Sequence, residues 1–309
     1  MPDGVPSIDL VAGQWDGPRD RWLAAFTPGN TTFSGHLPAL VDAPDGLARS
    51  YYLAAWQAVR GDAGPRAAAL LDPVRTRARL LAALARAAGS FRAIESYLVV
   101  TGDLDLLAEK AGGATVLDHL RALAAIPADT GPVAVDAARV GRARALAALL
   151  RRSGEPDGAA AIELAAADRA RDVLGRYAGG GRWHAVSRKS GETPDDWAGA
   201  FLAVAGEMPE FLDLRQRTEL VAFFGRELGE ESPGAVAYPL CRLGRTDLAA
   251  ALLAGAERPG AADLEAILAG LFGIRADFAG WEAGTRRIRP RGLGRLELGR
   301  LDNLPAALT

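Results

Sequence analysis

The feature that most constrains this chain is an alternation of amphipathic helical segments with glycine-containing turns. Three junctions share one pattern, in which a glycine follows an apolar helical segment and an aspartate follows within three residues: 101–103, 153–157 and 243–247. Glycine commonly ends a helix in the left-handed conformation, and aspartate commonly caps the next helix. The pattern therefore predicts antiparallel helix pairs joined by short turns.

The spacing of apolar residues predicts helices through most of the chain, and alanine, leucine and arginine, which favour helices, are abundant in them. The predicted helices are 47–56, 73–88, 91–101, 115–126, 133–152, 157–177, 194–205, 212–228, 238–243, 248–254 and 261–272. Alternating or turn-rich residues predict short β segments near 182–189 and 286–301.

The turns recur at an interval that suits a ring of helix pairs. The three turn glycines are separated by 52 and 90 residues (102 to 154 and 154 to 244). These intervals are consistent with one pair per ~45–50 residues and one junction that the sequence does not reveal. An α-solenoid follows the same logic, but these segments lack a repeated consensus. We therefore expect an all-α protein, an (α/α)6-type toroid of antiparallel helix hairpins forming a single domain over 1–309.

Charge, cysteine content and missing motifs exclude several classes of function. The chain has 36 basic and 38 acidic residues and a net charge of −2, without the basic excess of a nucleic-acid-binding protein. The single cysteine, Cys241, cannot form an internal disulfide, and no Cys/His spacing predicts a metal site. A phosphate-binding glycine loop and a Gly-x-Ser-x-Gly motif are both absent. We expect no cofactor, no metal and no nucleic-acid partner.

The location is predicted to be the cytoplasm. The N-terminal residues lack the basic and apolar regions of a signal peptide. No charge-free apolar run reaches the ~18 residues of a membrane helix, so we expect a soluble protein with no membrane partner. The sequence does not determine the oligomeric state.

Four segments, in order along the chain, resemble bacterial six-hairpin glycosidases. Residues 95–107 (ESYLVVTGDLDLL) resemble that family's Tyr-Leu-x-x-Thr-Gly-Asp helix end, and 178–183 (AGGGRW) its glycine-rich turn into a short hairpin. Residues 219–228 (ELVAFFGREL) are similar to its late helix, and 271–278 (LFGIRADF) to its Leu-Phe-Gly-x-x-Pro-Asp segment. The resemblance implies a toroid with a central pocket for a carbohydrate or glycoside.

The chain departs from that family in the loops that carry its chemistry. The Trp-Asp-rich, Glu/Tyr and Arg-Pro-Asp-His segments of the family have no counterpart in this sequence. The chain therefore resembles a shortened form without the usual catalytic loops, and the family's acid and base cannot be transferred to any position.

Candidate site residues are therefore selected by residue type and position. His36 is a candidate proton-transfer group, since histidine titrates near ~6.5. Asp42 and Glu95 are candidate carboxylate partners, because glycoside hydrolysis uses two carboxyl groups. Aromatic and histidine side chains could line a pocket, and the substrate-binding candidates are Tyr51, Tyr52, Trp183, His184 and Trp197. Helix caps, solvated faces and core packing are competing explanations for all of these residues.

Three functions stay open. The first is a carbohydrate-active protein resembling the six-hairpin glycosidases, with a glycoside hydrolase-like activity. The second is a cyclase or isomerase of small-molecule biosynthesis that uses general acid/base residues and a toroid cavity. The third is a pseudoenzyme that binds a ligand or partner. The expected ligand is a small molecule: a sugar, a glycoside or an apolar natural product. Fold analogy alone favours the first function.

Overall fold

The computed structural model describes residues 7–8, 73–87, 91–101, 103–184, 197–227, 233–254, 262–263, 266–271, 278 and 296–297. About 76% of this part of the chain is helical. The α-helices are α1 (Pro73–Ala85), α2 (Phe91–Thr101), α3 (Val116–Leu123), α4 (Val133–Arg152), α5 (Pro156–Gly175), α6 (Trp197–Glu207), α7 (Leu214–Glu227), α8 (Pro233–Arg242) and α9 (Thr246–Ala254). Two 3₁₀ turns, Leu104–Ala108 and Pro209–Phe211, and a π-helix, Ala266–Leu271, complete the helical elements.

Within the described residues, three short antiparallel strand pairs accompany the helices. β1 (Ser7–Ile8) pairs with β6 (Leu296–Glu297), β2 (Lys110–Ala111) with β3 (Ala114–Thr115), and β4 (Tyr177–Gly179) with β5 (Arg182–Trp183). β5 and β6 lie within the two segments for which β structure was predicted. The β2–β3 pair was not predicted, because its two-residue strands are too short to show an alternating pattern.

Turn glycines end the helices as the sequence predicted, but the aspartates behave differently. Gly154 and Gly244 have φ of +85° and +84°, so the predicted left-handed conformation is confirmed. Asp103 lies at an N-cap position without a side-chain cap bond. Instead, its carboxylate accepts a 2.7 Å hydrogen bond from the Tyr97 hydroxyl and forms a 3.0 Å ion pair with Arg77. At the second junction the predicted cap, Asp157, lies inside the first turn of α5, and Glu155 holds the N-cap position without a side-chain cap bond. The capping prediction is therefore wrong at these two junctions: tertiary partners bind Asp103, and α5 begins one residue before Asp157.

Several helix ends also differ from prediction; for example, α8 begins at Pro233, five residues before the predicted start at 238, because proline suits the first turn of a helix. α5 stops at Gly175, and Tyr177, predicted to be helical, begins β4. α1 stops at Ala85, and Ala87 takes a left-handed φ of +55° two residues later. A left-handed non-glycine residue is unusual and ends the helix before the glycine that was expected to do so.

Buried apolar side chains form two cores that meet at α4. The N-terminal core joins α1, α2 and α3 to the second half of α4; its largest fully buried members include Ile94, Tyr97, Leu98, Leu120 and Leu149. The C-terminal core joins the first half of α4 to α5, α6, α8 and α9; its members include Val140, Val173, Phe201, Phe223 and Leu240. α5 also contributes to both, with Ala159 in the N-terminal core, so the α4–α5 hairpin is the central element of the described fold.

The helices of the C-terminal core pack in a defined order. α4 packs against its hairpin partner α5 and against α6, α6 packs against α8, and α8 packs against α9 and the π-helix. Alternate helices α4, α6, α8 and the π-helix thus form one row, while α5 and α9 lie beside their hairpin partners. At Gly234 the row is so tight that an added Cβ would come within 2.2 Å of the Asp263 backbone nitrogen.

Residue Phe278, close to the C-terminus, packs back on the N-terminal core. Its ring meets the Phe91 ring edge-on at 6.4 Å between centroids. Its backbone N–H donates a buried 3.0 Å hydrogen bond to Oε1 of Glu95 on α2. The chain after the last helix of the C-terminal core therefore returns to the second described helix.

Candidate functional site

The glycine-rich β4–β5 hairpin is held in place by one carboxylate, that of Glu219 on α7. Its Oε2 accepts hydrogen bonds from the Tyr177 hydroxyl and the Gly180 N–H, both at 2.9 Å. Its Oε1 accepts a 2.7 Å hydrogen bond from Nε of Arg215, one turn earlier on the same helix. The Tyr177 hydroxyl in turn accepts a 3.0 Å hydrogen bond from the Gly181 N–H. The side chain of Glu219 thus fixes both ends of the turn.

These contacts shift two pKa values in opposite directions. The hydrogen bond from Arg215, together with those from Gly180 and Tyr177, lowers the pKa of Glu219 to about 2. Burial, reinforced by the neighbouring carboxylate of Glu219, raises the pKa of Tyr177 to about 12. At neutral pH the carboxylate is therefore ionised and the phenol keeps its proton, which is the combination the hairpin needs.

The turn requires glycine for two reasons. Gly179, Gly180 and Gly181 have φ of +91°, +63° and +83°, a region that side chains with a Cβ rarely adopt. At Gly181 an added Cβ would also lie 2.4 Å from Cβ of Phe223 on α7. The backbone of the hairpin at Gly181 therefore packs directly against the Phe223 side chain of α7, and there is no room for a methyl group between them.

The hairpin brings together three of the predicted binding residues. Trp183 on β5 is buried and meets the Tyr177 ring edge-on at 5.1 Å between centroids. Trp197 begins α6 and is half-buried, with the Arg182 guanidinium carbon 4.5 Å from its ring centroid. His184 follows β5, is exposed, and donates its backbone N–H to the Arg176 carbonyl at 2.8 Å.

Within this group, the indole of Trp183 has an unusual environment. Its Nε1 is buried, and no residue in the described part of the chain accepts a hydrogen bond from it. A buried indole N–H normally has a partner, and an unpaired one costs about 1–3 kcal/mol. Trp183 is therefore a packing element of the hairpin with one hydrogen-bond donor still to be satisfied.

Of the other predicted site residues, only Glu95 lies in the described part of the chain, and it is not part of this group. His36, Asp42, Tyr51 and Tyr52 lie outside the described residues. Glu95 is buried on α2, beside the N-terminal core, where it accepts the hydrogen bond from the Phe278 N–H. The structure thus gives Glu95 a contact with the C-terminal segment, whereas the hairpin belongs to the C-terminal core.

A buried charge cluster that the sequence reading missed lies where α4 begins and α5 ends. Asp136, with no solvent exposure, accepts hydrogen bonds from Arg139 at 3.2 Å, Arg169 at 3.3 Å and Arg176 at 3.1 Å. It also accepts a 2.9 Å hydrogen bond from the Gly131 N–H, before α4. Three guanidinium groups thus surround one carboxylate.

The arginines of this cluster also hold the loop between α3 and α4. Arg169 donates to the carbonyl oxygens of Pro127, Ala128 and Asp129, and Arg176 donates to the Gly131 carbonyl at 2.8 Å. These bonds give the buried N–H groups of Arg169 acceptors, and they give the loop carbonyl oxygens donors that regular secondary structure does not supply. The cluster is therefore a structural tie between loop, α4 and α5.

The sequence contains a signal for this cluster. Val133, Asp136, Ala137 and Val140 follow the i, i+3, i+4, i+7 spacing of the buried α4 face, and Asp136 is the charged member of that stripe. Arg169 lies in the same way among Ala166, Ala170 and Val173 of α5. A charged residue on each of two facing apolar stripes predicts a buried ion pair, since such charges are almost never buried unpaired.

In the part of the chain that the structure describes, no three His, Cys, Asp or Glu side chains come together as a metal site would require. No helix there is both long and apolar enough to cross a membrane. Comparisons with known protein families, with curated proteins and with solved structures found no match to this chain.

Proposed function

We propose that this protein is a toroid of antiparallel helix pairs that binds a carbohydrate or glycoside, with the β4–β5 hairpin at its binding surface. The observation that carries the proposal is the fixed hairpin itself. Glu219 and Phe223 hold the turn, Arg182 after the turn lies against the half-buried ring of Trp197, and the exposed His184 follows two residues later. Aromatic surface with a few fixed polar groups is the usual composition of a small-molecule site.

The row of alternate helices supports the toroid part of the proposal. In a ring of helix pairs, one helix of each pair packs against its neighbours in the ring, as α4, α6 and α8 do here. The four segments that resemble six-hairpin glycosidases follow the same order along the chain. These are fold-level arguments, and they support a carbohydrate ligand by analogy.

Rigidity is the physical argument for binding at the hairpin. A site whose backbone is already ordered loses little conformational entropy when a ligand binds. The turn from 177 to 183 is fixed by three hydrogen bonds and by contact with Phe223. The hairpin is held by a buried tryptophan and an ionised carboxylate, which a flexible surface hairpin does not require. We infer that this hairpin is kept ordered because it contacts a ligand.

The experiment is a carbohydrate microarray probed with the labelled protein, followed by calorimetric titration of the saccharides that bind. Because Trp197 packs against the C-terminal core, Trp197→Ala should lower the melting temperature as well as weaken binding at least about tenfold, so binding is measured at a temperature where the variant is folded. Arg171→Ala is the matched control, because Arg171 is an exposed helical arginine on α5 with its own ion pair to Asp168. No bound saccharide, or equal affinities for wild type and Trp197→Ala, would contradict the proposal.

His36 and Asp42 are proposed as the proton-transfer pair if the bound glycoside is also cleaved. His36→Ala and Asp42→Ala should then abolish turnover of aryl glycosides while saccharide affinity and melting temperature stay unchanged. Lower melting temperatures with unaltered turnover would instead make these residues structural.

A non-catalytic ligand-binding protein is the second candidate function. Its specific support is the role of Glu95, which is buried and holds the backbone of Phe278 instead of facing open solvent. The two candidates differ in one measurement. If the second candidate is correct, saccharides bind to the wild-type protein and bind less tightly to Trp197→Ala, but the wild-type protein does not hydrolyse aryl glycosides.

A further inference from the structure

We propose that the arginines around Asp136 form a binding site for a phosphate group, carried by inorganic phosphate or by a phosphate monoester. The proposal does not depend on the carbohydrate ligand of the proposed function. It rests on three features of the cluster: its charge balance, the hydrogen-bond donors that its arginines still have available, and its position at the partly exposed beginning of α4.

The charge balance of the cluster leaves a surplus of positive charge. Arg139, Arg169 and Arg176 each form an ion pair with Asp136, and no other carboxylate of the described residues pairs with any of the three. Three positive charges therefore face one negative charge. The side chains of Arg169 and Arg176 are 5% and 14% exposed, so solvent screens this surplus only weakly. A phosphate monoester, with a charge of about −1.5 to −2 at pH 7, matches the surplus.

Two of the arginines keep donors for a ligand. Within the described residues, Arg139 donates one hydrogen bond, from Nη1 to Asp136, and its side chain is 28% exposed. Arg176 donates from Nη1 and Nη2 to Gly131 and Asp136, whereas its buried Nε has no acceptor among the same residues. A guanidinium group presents its N–H groups in a planar fork that fits the oxygen atoms of a phosphate. Arg139 and Arg176 are therefore the arginines that bind the phosphate.

The position of these arginines adds the beginning of a long helix to the site. α4 runs for 20 residues, and its N-cap residue, Pro132, makes no side-chain cap hydrogen bond. The first N–H groups of a helix have no acceptor within the helix and carry a partial positive charge, which favours a bound phosphate. Val135 in this turn is 40% exposed, and Arg139 lies one turn later on the same face.

Gly131, just before α4, is the place where the two arginines come together. Its carbonyl accepts the hydrogen bond from Arg176, and an added Cβ at this residue would lie 3.3 Å from Nη1 of Arg139. A side chain at 131 would therefore crowd the Arg139 guanidinium. Glycine leaves that guanidinium open beside the first turn of α4.

A purely structural role does not account for Arg139. Arg169 and Arg176 hold the loop before α4 through its carbonyl oxygens, and together they already exceed the charge of Asp136. Arg139 donates to no loop carbonyl and adds a third positive charge to the cluster. A cluster that only tied the loop to the helices would be more stable without this charge, because like charges repel. A bound anion turns the same charge into a favourable contact.

The test is calorimetric titration of the full chain with inorganic phosphate, methyl phosphate and acetate at neutral pH and constant ionic strength. We expect one phosphate to bind per chain and acetate, which carries a single charge, to bind at least about tenfold more weakly. Binding of both phosphates indicates a monoester ligand, and binding of inorganic phosphate alone indicates free phosphate. Arg139→Gln should weaken phosphate binding at least about tenfold, because it removes charge-assisted hydrogen bonds.

Arg171→Gln is the matched control. It removes the same charge from an exposed helical position on α5, where Arg171 pairs with Asp168, and it should leave phosphate affinity unchanged. Phosphate binding no tighter than acetate binding would overturn the proposal, and so would equal losses in Arg139→Gln and Arg171→Gln. If Arg139→Gln does not fold, Arg139→Lys replaces it, since lysine keeps the charge and loses the planar fork. Its phosphate affinity should fall severalfold, and an unchanged affinity would contradict the site. No saccharide is present, so failure of the carbohydrate test does not affect this result.

Discussion

Replacing Asp136 by asparagine should be among the most destabilising single changes in the described part of the chain. The carboxylate is fully buried, and its partners Arg169 and Arg176 have side chains only 5% and 14% exposed. Asparagine keeps the shape but removes the negative charge, so the two buried guanidinium groups lose their counter-charge. Removing one member of a buried ion pair costs about 3–5 kcal/mol, because the remaining charge stays desolvated.

The matched control is Asp168→Asn on α5. The ion pair of Asp168 with Arg171 is exposed, at 55% and 72%, and such pairs contribute about 0–1 kcal/mol. Both changes replace aspartate by asparagine within a helix, so differences in helix propensity largely cancel. Urea denaturation followed by circular dichroism gives the free energy of unfolding of all three proteins. A loss below about 1 kcal/mol for Asp136→Asn would refute the reasoning, because it would mean that water screens the cluster.

Three further predictions concern the hairpin and one helix cap. Gly181→Ala should lower the free energy of unfolding by ~2–5 kcal/mol, because alanine is strained in the left-handed conformation and its Cβ would overlap Phe223. Gly180→Ala has open space around the Cβ position and should lower it by only ~1–2 kcal/mol in the same urea experiment. Equal losses for the two variants would exclude the overlap. Because the folded-state pKa of Glu219 is lowered to about 2, its stabilisation is present above the unfolded-state value of ~4.3 and disappears as pH falls towards 2. The melting temperature of Glu219→Gln should therefore lie below wild type at neutral pH and converge with it near pH ~2, and a gap that does not change with pH would contradict this. Thr115→Ala removes the hydroxyl that accepts the 3.1 Å cap bond at α3, so the free energy of unfolding measured in urea should fall by ~1 kcal/mol. Its saccharide affinity should equal that of the wild-type protein.

Local sequence signals were sufficient to locate most of the helices. α2 and α4 begin and end as predicted, because apolar periodicity and nearby helix-breaking residues act within one or two turns. Gly154 and Gly244 adopt the left-handed conformation for the same local reason. Local backbone preferences and short-range hydrogen bonds are sufficient to explain these helix ends and turns.

The candidate site was anticipated in part. Trp183, His184 and Trp197 were predicted as binding residues because aromatic and histidine side chains can line a pocket. The residue that fixes them, Glu219, lies 39 residues after the turn glycine that it binds. In the sequence, Glu219 cannot be distinguished from an ordinary surface glutamate of a helix with an arginine one turn away. Its other partners, Tyr177 and Gly180, belong to the β4–β5 hairpin, which is distant in the sequence.

What the sequence alone determined was therefore the set of elements: where helices run, where glycines turn the chain, and which faces are apolar. Only the tertiary structure decided which charged groups are buried together and which distant segments come into contact. Asp136 and Arg169 are 33 residues apart, and Glu95 and Phe278 are 183 apart. Such pairings depend on how helices pack against one another. Helix packing is set by the summed burial of many side chains, and that sum is a property of the folded chain rather than of any segment.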